Sequence, residues 1–229
     1  MSDQPPYIDS LDSPVFPPVA QAEPDGLLAL GGQLTPEWLV TAYAQGIFPW
    51  PVVDGEWEIL AWFSPDPRAV LELDRFHVPR RLQRRLRRGE FRVTFDRCFA
   101  AVVAGCAAPR SSGGGTWITA DMAAAYGRLH ELGVAHSVEV WQAERLVGGL
   151  YGVALGGFFA GESMFHRVRD ASKAALAALV ERLRQRGFLL FDVQQQSAHL
   201  QQMGAVCLRR EVFLQRLRQA VALPVSFGV

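Results

Sequence analysis

Two short segments and one arginine run hold the residue types best suited to chemistry. Gly161-Glu162-Ser163-Met164-Phe165 sets a carboxylate among hydrophobes, and Phe191-Asp192-Val193-Gln194 puts two polar residues at the end of an apolar stretch. Buried carboxylates are rarely left unpaired. Glu162 therefore either forms a structural ion pair with Arg167, Arg169 or Lys173, or serves a site. Period-2 alternation puts Asp192 and Gln194 on one face of a strand. Such a pair, where a strand leaves the core, suits a site and equally suits a structural hydrogen bond. Arg80, Arg81, Arg84, Arg85, Arg87 and Arg88 crowd the stretch between Pro79 and Gly89. On a helix, Arg80, Arg84, Arg87 and Arg88 form an outward stripe, with Leu82 and Leu86 as anchors. Like charges this close repel, so an anionic partner is expected. Guanidinium binds phosphate bidentately, which makes a nucleic-acid backbone the natural candidate. The plainer alternative is a solvated face paired with acids elsewhere.

Further signals are weaker. Trp50, Trp57, Trp62 and Trp117 are expected in loops, where periodicity does not demand burial. Arg110-x-x-Gly113-x-Gly115 matches the short pyrophosphate loop of coenzyme-A-dependent N-acetyltransferases, whose backbone N–H groups cradle phosphate. The segment before it reads as helix, however, and a pattern with so few fixed positions is unspecific. The histidines and the three cysteines show no metal-ligand spacing, so no metal is expected.

The elements that must position these residues follow from composition and punctuation. The chain of 229 residues is 49% hydrophobic and 20% charged, which excludes a disordered chain and a disulfide-stapled miniprotein. Its net charge of zero conceals a segregation. Residues 1–67 hold ten acids and no Lys or Arg, so the remainder carries all 23 basic residues. Such asymmetry points to a polyanionic partner. Without a basic leader or an uncharged apolar run of about 18 residues, a cytoplasmic setting with no membrane contact is expected. Thr35, Pro36 and Gly46 bracket a helix. Ser64-Pro65-Asp66-Pro67 marks a boundary between a small N-terminal domain (1–64) with an extended leader and a second domain (65–229). In the second, strands are expected at Arg68–Leu73, Phe91–Phe95, Ser137–Gln142, Arg145–Val153, Gly157–Gly161 and Phe188–Val193. Helices are expected at Pro79–Arg88, Cys98–Ala107, Thr119–Leu132, Asp170–Arg186 and Arg209–Leu217. The fold class is α+β with a mixed, acyltransferase-like sheet.

Several blocks in this order resemble the leucyl/phenylalanyl-tRNA–protein transferase family. They are Pro24–Ala29, Gly46-Ile47-Phe48-Pro49-Trp50, Trp62–Arg68, Gly115–Thr119, His136–Trp141, Gly161–Phe165 and Ala171-Ser172-Lys173, and the resemblance spans roughly residues 14–218. It implies a small N-terminal domain followed by a Gcn5-related acetyltransferase-like domain. It also implies transfer of Leu, Phe or, less readily, Met from charged tRNA to proteins beginning with Arg or Lys, marking them for the N-degron pathway. By the matching motifs, Glu162, Asp192 and Gln194 correspond to catalytic polar residues. Trp50 and Trp117 correspond to aromatics near the tRNA 3′ adenosine and the aminoacyl group. Phe159, Met164 and Phe191 fall in the aminoacyl pocket, with Leu150 where a pocket Met is common. The arginine helix falls where the acceptor stem is held. Gln33 also departs, standing where the family has Asp.

An aminoacyl ester is already activated, so the implied reaction needs no ATP, metal or coenzyme. The attacking α-amine, with a reference pKa of about 8, is partly neutral near pH 7. Positioning alone supplies several kcal/mol. Asp192 is expected to orient Gln194, Gln194 to accept a hydrogen bond from the amine, and Glu162 to bind the cationic acceptor terminus. The alternatives are a coenzyme-A-dependent N-acetyltransferase using the Arg110–Gly115 loop, and a non-catalytic RNA-binding module using the arginine helix.

Overall fold

The computed structural model describes residues 5–9, 13–54, 57–109 and 116–228, with residues 53, 54, 57 and 199 followed along the backbone only. The Arg110–Gly115 motif lies outside the described residues. The elements run β1 (Tyr7–Ile8), β2 (Leu27–Gly31), α1 (Pro36–Ala44), β3 (Phe48–Asp54), β4 (Trp57–Phe63), β5 (Arg68–Leu71), α2 (Arg80–Arg87), β6 (Arg92–Phe95) and α3 (Phe99–Ala107). They continue with α4 (Ala120–Glu131), β7 (Ala135–Gln142), β8 (Arg145–Leu155), β9 (Phe158–His166), α5 (Ala171–Gln185), β10 (Leu190–Gln194), α6 (Ala198–Gln202), β11 (Ala205–Leu208) and α7 (Arg210–Val221). Among the described residues, one sheet has the order β1-β2-β4-β3 and the other β11-β5-β10-β9-β8-β7-β6. Both are mixed: β1–β2 and β9–β10 pair in parallel beside antiparallel neighbours. The expected α+β class with a mixed sheet is thus observed.

Local signals act where they were expected. Thr35 Oγ1 accepts the Trp38 N–H, Pro36 opens α1, and Gly46 ends it at φ +77°. That helix buries Leu39, Ala42 and Tyr43. Trp50, Trp57 and Trp62, expected in loops, instead lie on the paired strands β3 and β4, with Trp50 opposite Ala61 and Phe48 opposite Phe63. Pro49 and Pro51 are tolerated because β3 is an edge strand, where one side needs no N–H donors. Trp62 accordingly leaves the loop category. It is fully buried against Phe16 and Trp38, and its Nε1–H donates to the Gly31 carbonyl at 2.8 Å.

Strand alternation divides the interior of the larger sheet into two faces. Phe158, Ala160, Leu190 and Tyr151 pack with residues of α1, α3, α4 and α7. Their neighbours Phe159, Phe191 and Leu150 pack with α5. The first of these clusters also contains Leu28, Trp38 and Trp62, so one apolar core joins the smaller sheet to the larger. Gly152 in β8 permits the close approach of β9. A Cβ there would stand 2.5 Å from Cε1 of the Phe159 ring and closer still to the Ala160 carbonyl oxygen. Gly152→Ala is expected to cost about 1–3 kcal/mol through overpacking, read as a lowered urea midpoint. An unchanged midpoint would contradict this packing.

Candidate active site

The site forms where two neighbouring strands stop pairing. β10 pairs with β9 only over Leu190–Asp192 against Phe158–Ala160. Each strand then carries an irregularity. On β9, Gly161 pairs with Gly152 and Ser163 with Tyr151, which leaves Glu162 as an extra residue. On β10, Asp192 pairs with Val70 and Gln194 with Ala69, which leaves Val193 extra. Bulges re-aim side chains. Here they turn Glu162 and Gln194 together, so that Gln194 Nε2 donates to Glu162 Oε1 at 2.9 Å. Past the end of the backbone ladder, this side-chain bond links the strands.

Strict alternation therefore fails between Asp192 and Gln194, and the two side chains take different partners. Gln194 has φ +61°, a conformation that costs a non-glycine residue about 1–3 kcal/mol and persists only when its surroundings enforce it. The enforcement is visible: Asp192 Oδ1 accepts the Gln194 backbone N–H at 2.9 Å. Asp192 thus orients Gln194 through the backbone rather than through its amide.

Asp192 is itself held by Arg68, a residue to which the sequence reading assigned no role. Arg68 Nε donates to Oδ1 at 2.9 Å and Nη2 to Oδ2 at 2.7 Å, with both residues at 1% exposure or less. Arg68 Nη1 donates to the Gly46 carbonyl at 3.0 Å, and the guanidinium lies 4.7 Å from the Phe48 and Phe213 ring centroids. One available signal was a charged residue opening the otherwise apolar Arg68–Leu71.

Glu162 has neutral partners. Tyr126 Oη donates to Oε2 at 2.8 Å, and Tyr43 Oη lies 2.6 Å from Tyr126 Oη. None of the cations considered for an ion pair is bonded to Glu162 among the described residues. Arg167 donates to the Leu146 carbonyl, Arg169 offers its own carbonyl to Arg85, and Lys173 lies 3.9 Å from Asp170. Burial pushes the Glu162 carboxyl up to about 7, and the Asp192 charge adds to this against the hydrogen bonds of Tyr43 and Tyr126. Burial, reinforced by the Glu162 charge, likewise raises Tyr43, Tyr126 and Tyr151 well above the usual phenol range, so these hydroxyls remain protonated. Neither Tyr43 nor Tyr126 was singled out in the sequence.

The remaining selected residues fall into separate groups. Leu150, Phe159 and Phe191 are buried on the α5 face, with Met164 packed against them. Trp50 and Trp117 pack on the opposite face and stack at 4.8 Å between centroids, 21° apart in plane. β9 and β10 stop pairing between these two faces, and the Glu162–Gln194 bond bridges them there. The arginine helix lies on the α5 side, where Leu82 and Leu86 pack into the same cluster as Leu150, Phe159 and Phe191. α2 packs on α5, and its exposed side forms a cavity of about 460 Å³ lined by Arg81, Arg84, Arg85, Arg88 and Glu90. The cavity side thus differs from the expected stripe, because Arg80 and Arg87 are exposed but do not line it. Arg85 is committed within the protein. It bonds Glu90 at 2.7 Å, Asp170 at 2.9 Å and the Arg169 carbonyl at 2.6 Å, and lies over Phe91. Another cavity, of about 540 Å³, is lined by residues including Thr35, Glu58, Asp121 and Arg128 and contains none of the selected residues.

Two outcomes follow from this geometry. Arg68→Ala strands a buried Asp192 charge and is expected to cost about 3–5 kcal/mol in chemical denaturation. Arg68→Lys restores charge but not the fork, and recovers only part of that loss. The second concerns pH. Because the folded state raises Glu162 from 4.5 to about 7, its protonated form favours folding at low pH, and that contribution is lost as pH rises through this window. Unfolding curves should therefore show the protein losing stability relative to Glu162→Gln between about pH 4.5 and 7. A constant difference would refute the assignment.

Comparison with known proteins bears on what this arrangement serves. The family model described as "Leucyl/phenylalanyl-tRNA protein transferase" matches residues 70–218, and the model of that family's N-terminal domain matches residues 32–66. The leucyl/phenylalanyl-tRNA–protein transferase of Stutzerimonas stutzeri (strain A1501) is 54% identical over 211 residues, covering 91% of this chain and 92% of that one. The protein of the same name from Azoarcus sp. (strain BH72) is 57% identical over 204 residues, covering 88% and 86%. Among solved structures, L-PGS from Bacillus licheniformis aligns at 13% identity with a TM-score of 0.42, covering 75% of this chain and 54% of that one, so the chain spans about half of its length. A GCN5-related N-acetyltransferase from Kribbella flavida aligns at 11% identity with a TM-score of 0.40, covering 75% and 60%. With both of its family models matched in order and relatives this close along nearly the whole chain, the protein belongs to the leucyl/phenylalanyl-tRNA–protein transferase family and is an aminoacyltransferase.

Proposed function

We propose that the protein takes Leu, Phe or, less readily, Met from charged tRNA and joins it to the α-amino group of proteins beginning with Arg or Lys. This reaction marks them for degradation through the N-degron pathway in the cytoplasm. In keeping with that setting, no helix among the described residues is long and apolar enough to cross a membrane. Residues 1–64 form the small N-terminal domain and 65–229 the catalytic domain. The observation that carries the reading is the Glu162–Gln194 pair at the end of the β9–β10 ladder, with no cation bound to the carboxylate among the described residues.

The chemistry assigns each group a task. The 3′ adenosine rests on the Trp50–Trp117 stack, and the aminoacyl side chain passes through the strand gap toward Leu150, Phe159, Met164 and Phe191. An unbranched Met beside aromatic walls accepts Leu, Met and Phe and rejects β-branched shapes. Glu162 receives the acceptor's ammonium group. A carboxyl titrating near 7 is matched to taking a proton from it at neutral pH, which makes Glu162 a better base than an amide or bulk water. Gln194 Nε2 is committed to Glu162, so its Oε1 is left to accept the remaining N–H of the amine. Glu162 takes one ammonium proton and releases it to solvent. The nitrogen then bonds to the ester carbonyl carbon, Glu162 takes a second proton from that nitrogen, and as the ester C–O bond breaks this proton leaves with the ribose oxygen.

Phosphate contacts fall to the arginine helix, chiefly to Arg81, Arg84 and Arg88, with Arg85 bracing them and Arg80 and Arg87 flanking. Charged-tRNA affinity should fall steeply with salt, and Arg84→Ala combined with Arg88→Ala should flatten the slope by about 1–2 units in log–log form. An unaltered slope returns these residues to a solvated face. The decisive assay combines Phe-charged tRNA with an Arg-initiated peptide. A mass increase of one Phe residue is expected, absent for a Gly-initiated peptide and abolished by Glu162→Ala. If Gln194→Ala keeps full turnover, its positioning role is wrong.

A further inference from the structure

Beyond α7 the chain returns to the α5 face and brings Phe227 against the proposed aminoacyl pocket. Phe227 is 2% exposed and belongs to the same apolar cluster as Leu150, Phe159 and Phe191. Its ring stacks on Phe159 at 5.8 Å between centroids and on His136 at 4.2 Å, and meets Phe95 edge-on at 5.9 Å. His136 is fixed in turn by Asp96 Oδ2 at 2.7 Å. The Arg182 guanidinium lies 5.1 Å from the Phe227 ring centroid, and its Nε donates to the Phe227 carbonyl at 3.1 Å. Arg186 Nε donates to the Ser226 carbonyl at 3.1 Å. The segment is therefore bound by its backbone as well as its ring. It lies outside the stretch that the family model matches, which ends at residue 218.

We infer that Phe227 sets the depth of the aminoacyl pocket, by fixing Phe159 from behind, and so makes the C-terminal segment a determinant of the preference between Phe and Leu. Phe159 has little freedom otherwise. The β8 backbone at Gly152 closes one side, and Phe191 meets it edge-on at 5.6 Å. The side facing Phe227 is held by another side chain rather than by backbone, and is the side a substitution can open. Packed apolar interiors respond to changes of a single methylene, so a smaller residue at 227 lets Phe159 recede and deepens the cavity. Phe227 touches no reacting atom and is a positioning residue.

This inference rests on the pocket reading above, so Met164→Ala serves as its control. Transfer of Phe and of Leu is measured separately for the parent, F227L, F227V, F227A and M164A. The Phe-to-Leu ratio of kcat/KM should rise stepwise with the volume removed, reaching about tenfold in F227A, the low end for methylene-sized changes in apolar pockets, while F227L stays within about twofold of the parent. If F227A does not fold, the step from F227L to F227V carries the test. Equal losses for Phe and Leu, or no change, would overturn the inference and leave Phe227 a stability anchor. If M164A shifts the ratio and the Phe227 series does not, the pocket stands and the inference fails. If neither shifts it, the pocket reading fails first.

Discussion

A pair of opposite charges sealed from water, Arg68 and Asp192, is the constraint on which the site depends. Desolvating two ions is costly, and the cost is offset only by good geometry and full hydrogen bonding. Here the fork is bidentate, the third guanidinium nitrogen reaches the Gly46 carbonyl, and the faces of Phe48 and Phe213 flank the cation. The pair thereby ties β5 and β10 to the end of α1, the start of β3 and the buried side of α7. With both carboxylate oxygens occupied by Arg68, one still accepts the Gln194 N–H and holds that residue left-handed. Charge pairing is in this way converted into backbone conformation, and backbone conformation into the direction of an amide.

The proposed site sits at a discontinuity for a physical reason. A continuous sheet seals its two faces from each other, and the residues best suited to an apolar acyl group lie on the face opposite the stacked tryptophans. Where β9 and β10 part, a polar group can stand between the faces without losing its hydrogen bonds. Glu162 and Gln194 satisfy each other there, and Tyr126 completes the carboxylate. Burial is what raises the Glu162 pKa, and its neutral partners offset only part of that rise. On α2, Leu82 and Leu86 pack into the α5-side cluster, and Arg85 ties the helix to the start of α5. A guanidinium beside Glu162 would have held it ionised at all working pH values.

Much of the frame was legible from short-range signals. Thr35, Pro36 and Gly46 define α1, the strands expected between Ser137 and Gly161 are observed as β7, β8 and the first part of β9, which runs on to His166, and the long apolar-faced helix ending before Gly187 is observed as α5. The hairpin around Trp50 was not legible, since Pro49 and Pro51 look like breakers unless the strand is known to lie on an edge. The residue types at Glu162, Asp192 and Gln194 were suggestive, but their partners were hidden. Arg68 precedes Asp192 by 124 positions, and Tyr126 precedes Glu162 by 36. No periodicity connects residues so far apart.

By itself the amino-acid sequence determined the local elements, the segregation of basic residues away from the first 67 positions, and the blocks that place the chain in its family. These are properties of neighbours along the chain: capping, alternation, charge density and short motifs. Tertiary structure decided which carboxylate is neutralised by a cation and which is left to titrate near neutrality, which arginines face outward, and where the sheet opens. Each of those depends on desolvation and on partners drawn from distant segments, and such quantities exist only once the chain has closed on itself.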